Sequence, residues 1–179
     1  MVDINGLGEI VKTVKEALKP IIKFTCNKTT FNSVLILKND YNEDFKNVTK
    51  HIYSGNLVPG QEQIEVIKPQ NKCTIAINGY FQIKGAISWT TNNHFLVLMF
   101  IIRAFQTTQF RFLIEPVQNR DSFPLERTKD FNQVWKSAYN PGHIHGSTEY
   151  KKYGYNLVVT KSESHHPHII EILTNLKKE

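Results

Sequence analysis

Two hydrophobic periods divide the chain. In the first 20 residues Ile4, Leu7, Ile10, Val11, Val14, Ala17 and Leu18 recur at steps of three and four, with Lys12, Lys15, Glu16 and Lys19 between them. Apolar positions at that spacing share one side of an α-helix. Asp3 suits the cap, and Pro20 ends the pattern because its ring and missing N–H stop the next turn. The predicted helix over Ile4–Lys19 is amphipathic and ~24 Å long at about 1.5 Å per residue. The ordinary role of such a helix is to pack its apolar stripe on the domain's own sheet.

From Ile21 onward the period shortens to two. Short runs rich in Ile, Val, Thr, Phe and Tyr predict strands at Ile21–Thr25, Ser33–Leu37, Lys50–Tyr53, Gln63–Ile67, Cys73–Asn78, Gly85–Thr90, His94–Ile102, Gln109–Pro116 and Tyr155–Lys161. Turn chemistry separates them at Asn39-Asp40, Ser54-Gly55, Pro59-Gly60, Pro69-Gln70-Asn71, Asn78-Gly79 and Asn92-Asn93. The segment His168–Leu173 fits either a strand or a helix. A second short helix is predicted over Asp130–Ala138, capped by Asp130, with Phe131, Val134 and Trp135 on one side. Strands at this spacing imply a sandwich or a barrel.

Composition narrows the function classes. The 179 residues suit one domain, and 40% hydrophobic with 21% charged residues is ordinary for a packed core, which excludes disorder and fibrous repeats. The longest apolar run, Phe95 to Ile102, is far short of the roughly 20 residues of a spanning helix. A net charge of +6 and a pI near 9.2 favour an anionic partner, whether nucleic acid, acidic glycan or a negatively charged lipid surface. Cys26 and Cys73 allow one bridge or two thiols and define no metal site by spacing. The first residues, Met1 to Gly6, lack the basic region and apolar block of a leader, which fits a cytosolic protein or the mature form of a secreted one. In the second case the sequons at Asn27 and Asn47 are glycan acceptors.

Enzyme motifs are missing: there is no phosphate-cradling glycine loop, no Gly-x-Ser-x-Gly elbow and no His-Glu-x-x-His helix. No cofactor is implied. His143 with His145, and His165, His166 and His168 around Pro167, are candidate imidazole donors without an acidic or thiolate partner at ligand spacing, so no metal site is assigned. More informative is Arg103 to Leu113, where Phe105, Phe110 and Phe112 are interleaved with Arg103 and Arg111. Rings pointing to solvent would form a membrane- or partner-seeking patch, with arginines beside them for phosphates. The alternative is that Phe110 and Phe112 are core residues of a strand.

Taken in order, these features resemble the actinoporins, the pore-forming cytolysins of sea anemones and their relatives. The amphipathic helix matches Ile4–Lys19, and the family's aromatic-Ser-Gly turn matches Tyr53-Ser54-Gly55. The Pro-Asn-Lys turn is similar to Lys68-Pro69-Gln70-Asn71-Lys72, and the Gly-Ala-Val strand to Gly85-Ala86-Ile87. The Val-Met-Phe strand resembles Val97-Leu98-Met99-Phe100, the Asn-Pro segment Asn140-Pro141, and the Gly-Tyr-Gly segment Tyr153-Gly154-Tyr155. The resemblance covers nearly the whole chain. It implies a mostly β fold: one domain, residues 1–179, in which a β-sandwich over 21–179 is flanked by two short helices, one at 1–20 and one near 130–138.

The function so implied is a secreted, non-enzymatic pore-former. A soluble precursor binds membrane lipid headgroups, assembles with copies of itself, and inserts its N-terminal helix, here through Ile4, Leu7, Ile10, Val11, Val14 and Leu18. Lipid, rather than nucleic acid, becomes the anionic partner. Ser54 and Ile87 match the family's pocket position by position; with the rings and arginines of the 103–113 stretch and nearby Trp135 and Tyr139, the expected headgroup and membrane contacts are Ser54, Ile87, Arg103, Phe105, Phe110, Arg111, Phe112, Trp135 and Tyr139. The departures gather in the phosphocholine pocket. Ile101 and Arg103 stand where the family has serine and proline, Gln109 and Phe112 where it has tyrosine and tryptophan, and Gln133, Ser137 and Ala138 in the helix tyrosine cluster. The Arg-Gly-Asp stretch reads His143-Ile144-His145. An aromatic box for a quaternary ammonium needs ring faces around the cation, so these changes imply another headgroup, anionic ones included, in place of or beside a phosphocholine-type one. The rival expectation is a lectin-like or lipid-binding module of the same fold without lytic activity, as in the fungal fruit-body lectins.

Overall fold

Period-two alternation places apolar side chains on one face of each strand, and two such faces closed together make the core. The computed structural model describes residues 31–59, 64–103, 108–118, 131–141, 147–163 and 169–178. Its elements are β1 (Phe31–Asn39), β2 (Phe45–Ser54), β3 (Asn56–Leu57), β4 (Val66–Ile67), β5 (Lys72–Gly79), β6 (Gln82–Thr90), β7 (His94–Arg103), β8 (Gln109–Pro116), α1 (Phe131–Ser137), β9 (Ser147–Lys152), β10 (Tyr155–Glu163) and β11 (Ile169–Lys178). One sheet has the order β3-β5-β1-β11-β10-β9 and the other β4-β2-β6-β7-β8. β1 and β11 run parallel, Asn32 opposite Ile169 through Asn39 opposite Leu176, and the pairs around them are antiparallel.

Leu35, Leu37, Ile75, Ile77, Leu157 and Val159 from the first sheet meet Phe45, Ile83, Trp89, Leu98, Phe100, Phe112 and Ile114 from the second in one buried cluster. This is a β-sandwich. The continuous apolar run of β7 has a two-sided explanation. Leu96, Leu98, Phe100 and Ile102 face the other sheet, while Phe95, Val97, Met99 and Ile101 face outward into a second cluster. Phe131, Val134 and Ala138 of the helical segment close that cluster. On the far side of the sandwich Val34, Ile36 and Ala76, which belong to neither cluster, are buried as well.

Most sequence expectations on the described residues match within a few residues, the open choice at His168–Leu173 is decided, and the fourth and ninth strands differ. The segment after Pro167 is a strand, not a helix, because it pairs on both sides, with β1 and β10. The strand expected at Gln63–Ile67 contracts to Val66–Ile67. β9 was not predicted: it reads Ser-Thr-Glu-Tyr-Lys-Lys, with one large apolar side chain. It is an edge strand, so half of its surroundings is solvent. Of the two flanking helices, α1 is described, whereas the helix at 1–20 and the strand at Ile21–Thr25 lie outside the described residues. Cys73 is a buried free thiol.

Candidate functional site

β8 sorts the expected membrane contacts by parity. Phe110 and Phe112 lie opposite Phe100 and Leu98 of β7 and are fully buried between the sheets. The expectation that they meet a membrane is corrected: alternation sends both rings inward and Arg111 outward. Ile87, expected as an apolar pocket wall, is corrected in the same way, since it is buried in the inter-sheet core. Phe105 lies outside the described residues, as do Ile4, Leu7, Ile10, Val11, Val14, Leu18 and the histidines at 143, 145, 165, 166 and 168.

Four of the five remaining contacts, all but Tyr139, form two linked groups on the outer face of the second sheet. In the first, α1 supplies two rings. Phe131 and Trp135 sit one helical turn apart and stack, with centroids 5.2 Å apart. Each ring carries a cation from the sheet below. Lys84 Nζ lies 4.2 Å from the Phe131 centroid, and the Arg111 guanidinium carbon 4.9 Å from that of Trp135. Lys84 Nζ also donates to Asn132 Oδ1 at 3.3 Å, and Arg111 Nη1 donates to the Trp135 carbonyl. Tyr53 of β2 meets Phe131 edge-on at 4.9 Å. Ring faces that could have boxed an external quaternary ammonium are therefore next to the chain's own cations. The surface offers positive charge to phosphate or carboxylate oxygens.

In the second group Ser54 and Arg103 converge on Gln82 at the end of the sandwich. Ser54 Oγ donates to the Gln82 carbonyl at 3.1 Å, and Arg103 Nε donates to Gln82 Oε1 at 3.3 Å. Lys84 follows two residues along β6, on the same face as Gln82. Beside them sit Tyr80 and Phe81, both strongly exposed, which the sequence reading missed. The available signal was two aromatic residues directly after the Asn78-Gly79 turn.

Tyr139 stands apart. It pairs through its backbone with Phe112 on the edge of β8, at 2.8 and 3.0 Å, and its half-exposed ring stacks on Tyr150 at 4.6 Å. Tyr150 stacks in turn on Phe112 at 5.9 Å, which makes a ladder of rings from surface to core. Burial pushes the Tyr150 hydroxyl pKa above its ordinary value, against the pull of the Lys152 ammonium. Lys152 itself joins Glu115 at 2.7 Å, tying β9 to β8 where the sheets' edges meet.

No protein-family model and no curated protein matches the chain. Among solved structures it is similar to the lipid binding protein Nakanori, with a TM-score of 0.68 and 8% identity over 96% of this chain and 80% of that one. The likeness is one of fold. At that identity the site rests on this chain's own geometry.

Proposed function

We propose that this chain is a membrane-binding protein of the actinoporin type, which attaches to lipid headgroups from solution and, after self-assembly, opens a pore with its first 20 residues. The observation that carries the attachment is the Lys84–Phe131–Trp135–Arg111 arrangement, two stacked rings with a cation at each. Such a surface suits anionic lipid: the partly buried Trp135 ring and the cation stems lie at the apolar boundary, buried Phe131 supports them from beneath, and the charged heads meet phosphates. The same geometry argues against phosphocholine alone, because a choline would compete with the resident ammonium and guanidinium for the ring faces. The lipid-binding neighbour of the same fold supports the reading.

The pore-forming step rests on sequence. An Ile4–Lys19 helix of ~24 Å nearly crosses a ~30 Å hydrocarbon core, and its polar side is tolerated there when several copies surround water. Before insertion its apolar stripe needs a seat, and the buried outer-face residues Val34, Ile36 and Ala76 have the right character. No catalysis, metal or cofactor enters this reading, and the protein acts as a secreted precursor.

Calcein release from vesicles of defined composition tests it. Phosphatidylserine-containing vesicles leak, and deletion of residues 1–19 abolishes leakage while binding persists. Binding without leakage by the intact chain would favour a non-lytic lipid-binding module. Failure to bind or permeabilise vesicles of any composition, sphingomyelin included, overturns the reading.

A further inference from the structure

Where the chain crosses from β5 in one sheet to β6 in the other, Tyr80 and Phe81 are the two residues between the strands. They are 59% and 86% exposed, the two highest values among the large hydrophobic residues described. Turns of this length ordinarily take Asn, Asp, Gly or Ser, and neither residue has a positive φ that would restrict the choice. The backbone thus imposes no need for rings at this tip.

The support beneath the tip is tight. A Cβ on Gly79 would lie 2.8 Å from Ile83 Cγ1 and 2.9 Å from the Gln82 carbonyl oxygen. Gly55, at φ 95° in the neighbouring β2-to-β3 crossing, would place a Cβ 2.7 Å from the Asn78 carbonyl oxygen and 3.3 Å from the same Ile83 atom. Both crossings therefore close on buried Ile83, and the two rings stand on a fixed base. Arg103, bonded to Gln82, and Lys84 bring positive charge to the same end.

This combination fits a bilayer better than a folded partner. A stable protein interface buries roughly 800 Å² on each side, more than two rings on a convex two-residue tip can offer. A lipid interface accepts a convex aromatic tip: Tyr and Phe enter the headgroup–acyl boundary, and the cations meet phosphates. We infer that the Tyr80–Phe81 crossing is a bilayer wedge, inserted into membranes with anionic headgroups while Arg103 and Lys84 engage the phosphates. The inference rests on the lipid-binding function proposed above and adds which part of the surface enters the bilayer.

Co-sedimentation of the full chain with phosphatidylcholine vesicles, with and without phosphatidylserine, tests it. Replacing Tyr80 and Phe81 together by Ala lowers binding to the anionic vesicles by roughly tenfold per ring removed, with an unchanged thermal midpoint because both rings are exposed. A Phe81→Trp variant made in a Trp135→Phe background keeps the affinity of that background and shows quenching by brominated acyl chains that the background lacks, since its remaining Trp89 is buried in the core. Equal binding by the double Ala variant, or no added quenching in Phe81→Trp, overturns the wedge while leaving lipid binding intact. A wild type that binds neither vesicle overturns the lipid reading itself, and the wedge with it.

Discussion

Arg111 lies over Trp135, its guanidinium carbon 4.9 Å from the ring centroid and its Nη1 donating to the Trp135 carbonyl. One side chain of β8 thus grips α1 twice, by a planar stack and by a charge-assisted hydrogen bond. Lysine can supply the charge but not the flat face or the forked donors. Arg111→Lys is expected to destabilise the protein by about 1–2 kcal/mol, and Arg111→Ala by more, in urea unfolding followed by tryptophan fluorescence. A Lys variant as stable as the wild type would mean that the stack contributes nothing.

Lys84 plays the matching part at Phe131, with a more exposed ammonium. Near an anionic membrane each basic side chain contributes about 1 kcal/mol, so Lys84→Gln should weaken binding to phosphatidylserine vesicles roughly fivefold. Added salt should reduce the gap between variant and wild type. The unfolding midpoint should barely move, since exposed cation–π contacts are worth about 0.5–1 kcal/mol. Vesicle titrations at two salt concentrations check both statements.

Phe112 is where the sequence reading and the structure part most sharply. Its burial in the inter-sheet core makes Phe112→Ala a cavity mutation costing about 3–5 kcal/mol. The folded fraction should bind vesicles as the wild type does. A stable Phe112→Ala variant with reduced binding would return the ring to the membrane surface.

That difference shows what a local pattern can and cannot carry. Strand positions were legible because Leu35, Leu37, Ile75 and Ile77, or Leu157 and Val159, alternate with residues of another face. The direction of Phe110 and Phe112 was not, because Phe-Arg-Phe alternates equally well with rings in or out. Pairing with Leu98 and Phe100 decides it. The run from Phe95 to Ile102 hid two faces, separable only once α1 is seen to cover one of them. The bracket of Lys84 and Arg111 around Phe131 and Trp135 joins residues from three parts of the chain, which no short spacing records. A turn was readable at Asn78-Gly79, but that Tyr80 and Phe81 form the connection and are exposed follows from the crossing between sheets. β9 fell below notice because Tyr150 alone does not make an alternation.

Two buried groups predict the response to alkali. Burial, aided by the bond to Tyr155, pushes the Tyr41 hydroxyl from 10.0 up to about 12. Burial also raises the Cys73 thiol from 9.0 to about 11, against the opposing effects of Lys50 and the Leu37 backbone. A raised pKa means that the folded state keeps a proton which the unfolded chain has already released. The stability contributed is complete below pH 9 and is lost as pH rises, between about 9 and 11 for Cys73 and between 10 and about 12 for Tyr41. The urea midpoint should therefore hold to about pH 9 and then decline. Tyr41→Phe should shift the midpoint by a constant amount below pH 9 and flatten the decline above pH 10. Cys73→Ala should flatten the part between 9 and 11. Parallel curves for wild type and both variants across the alkaline range would show that neither group holds its proton through burial.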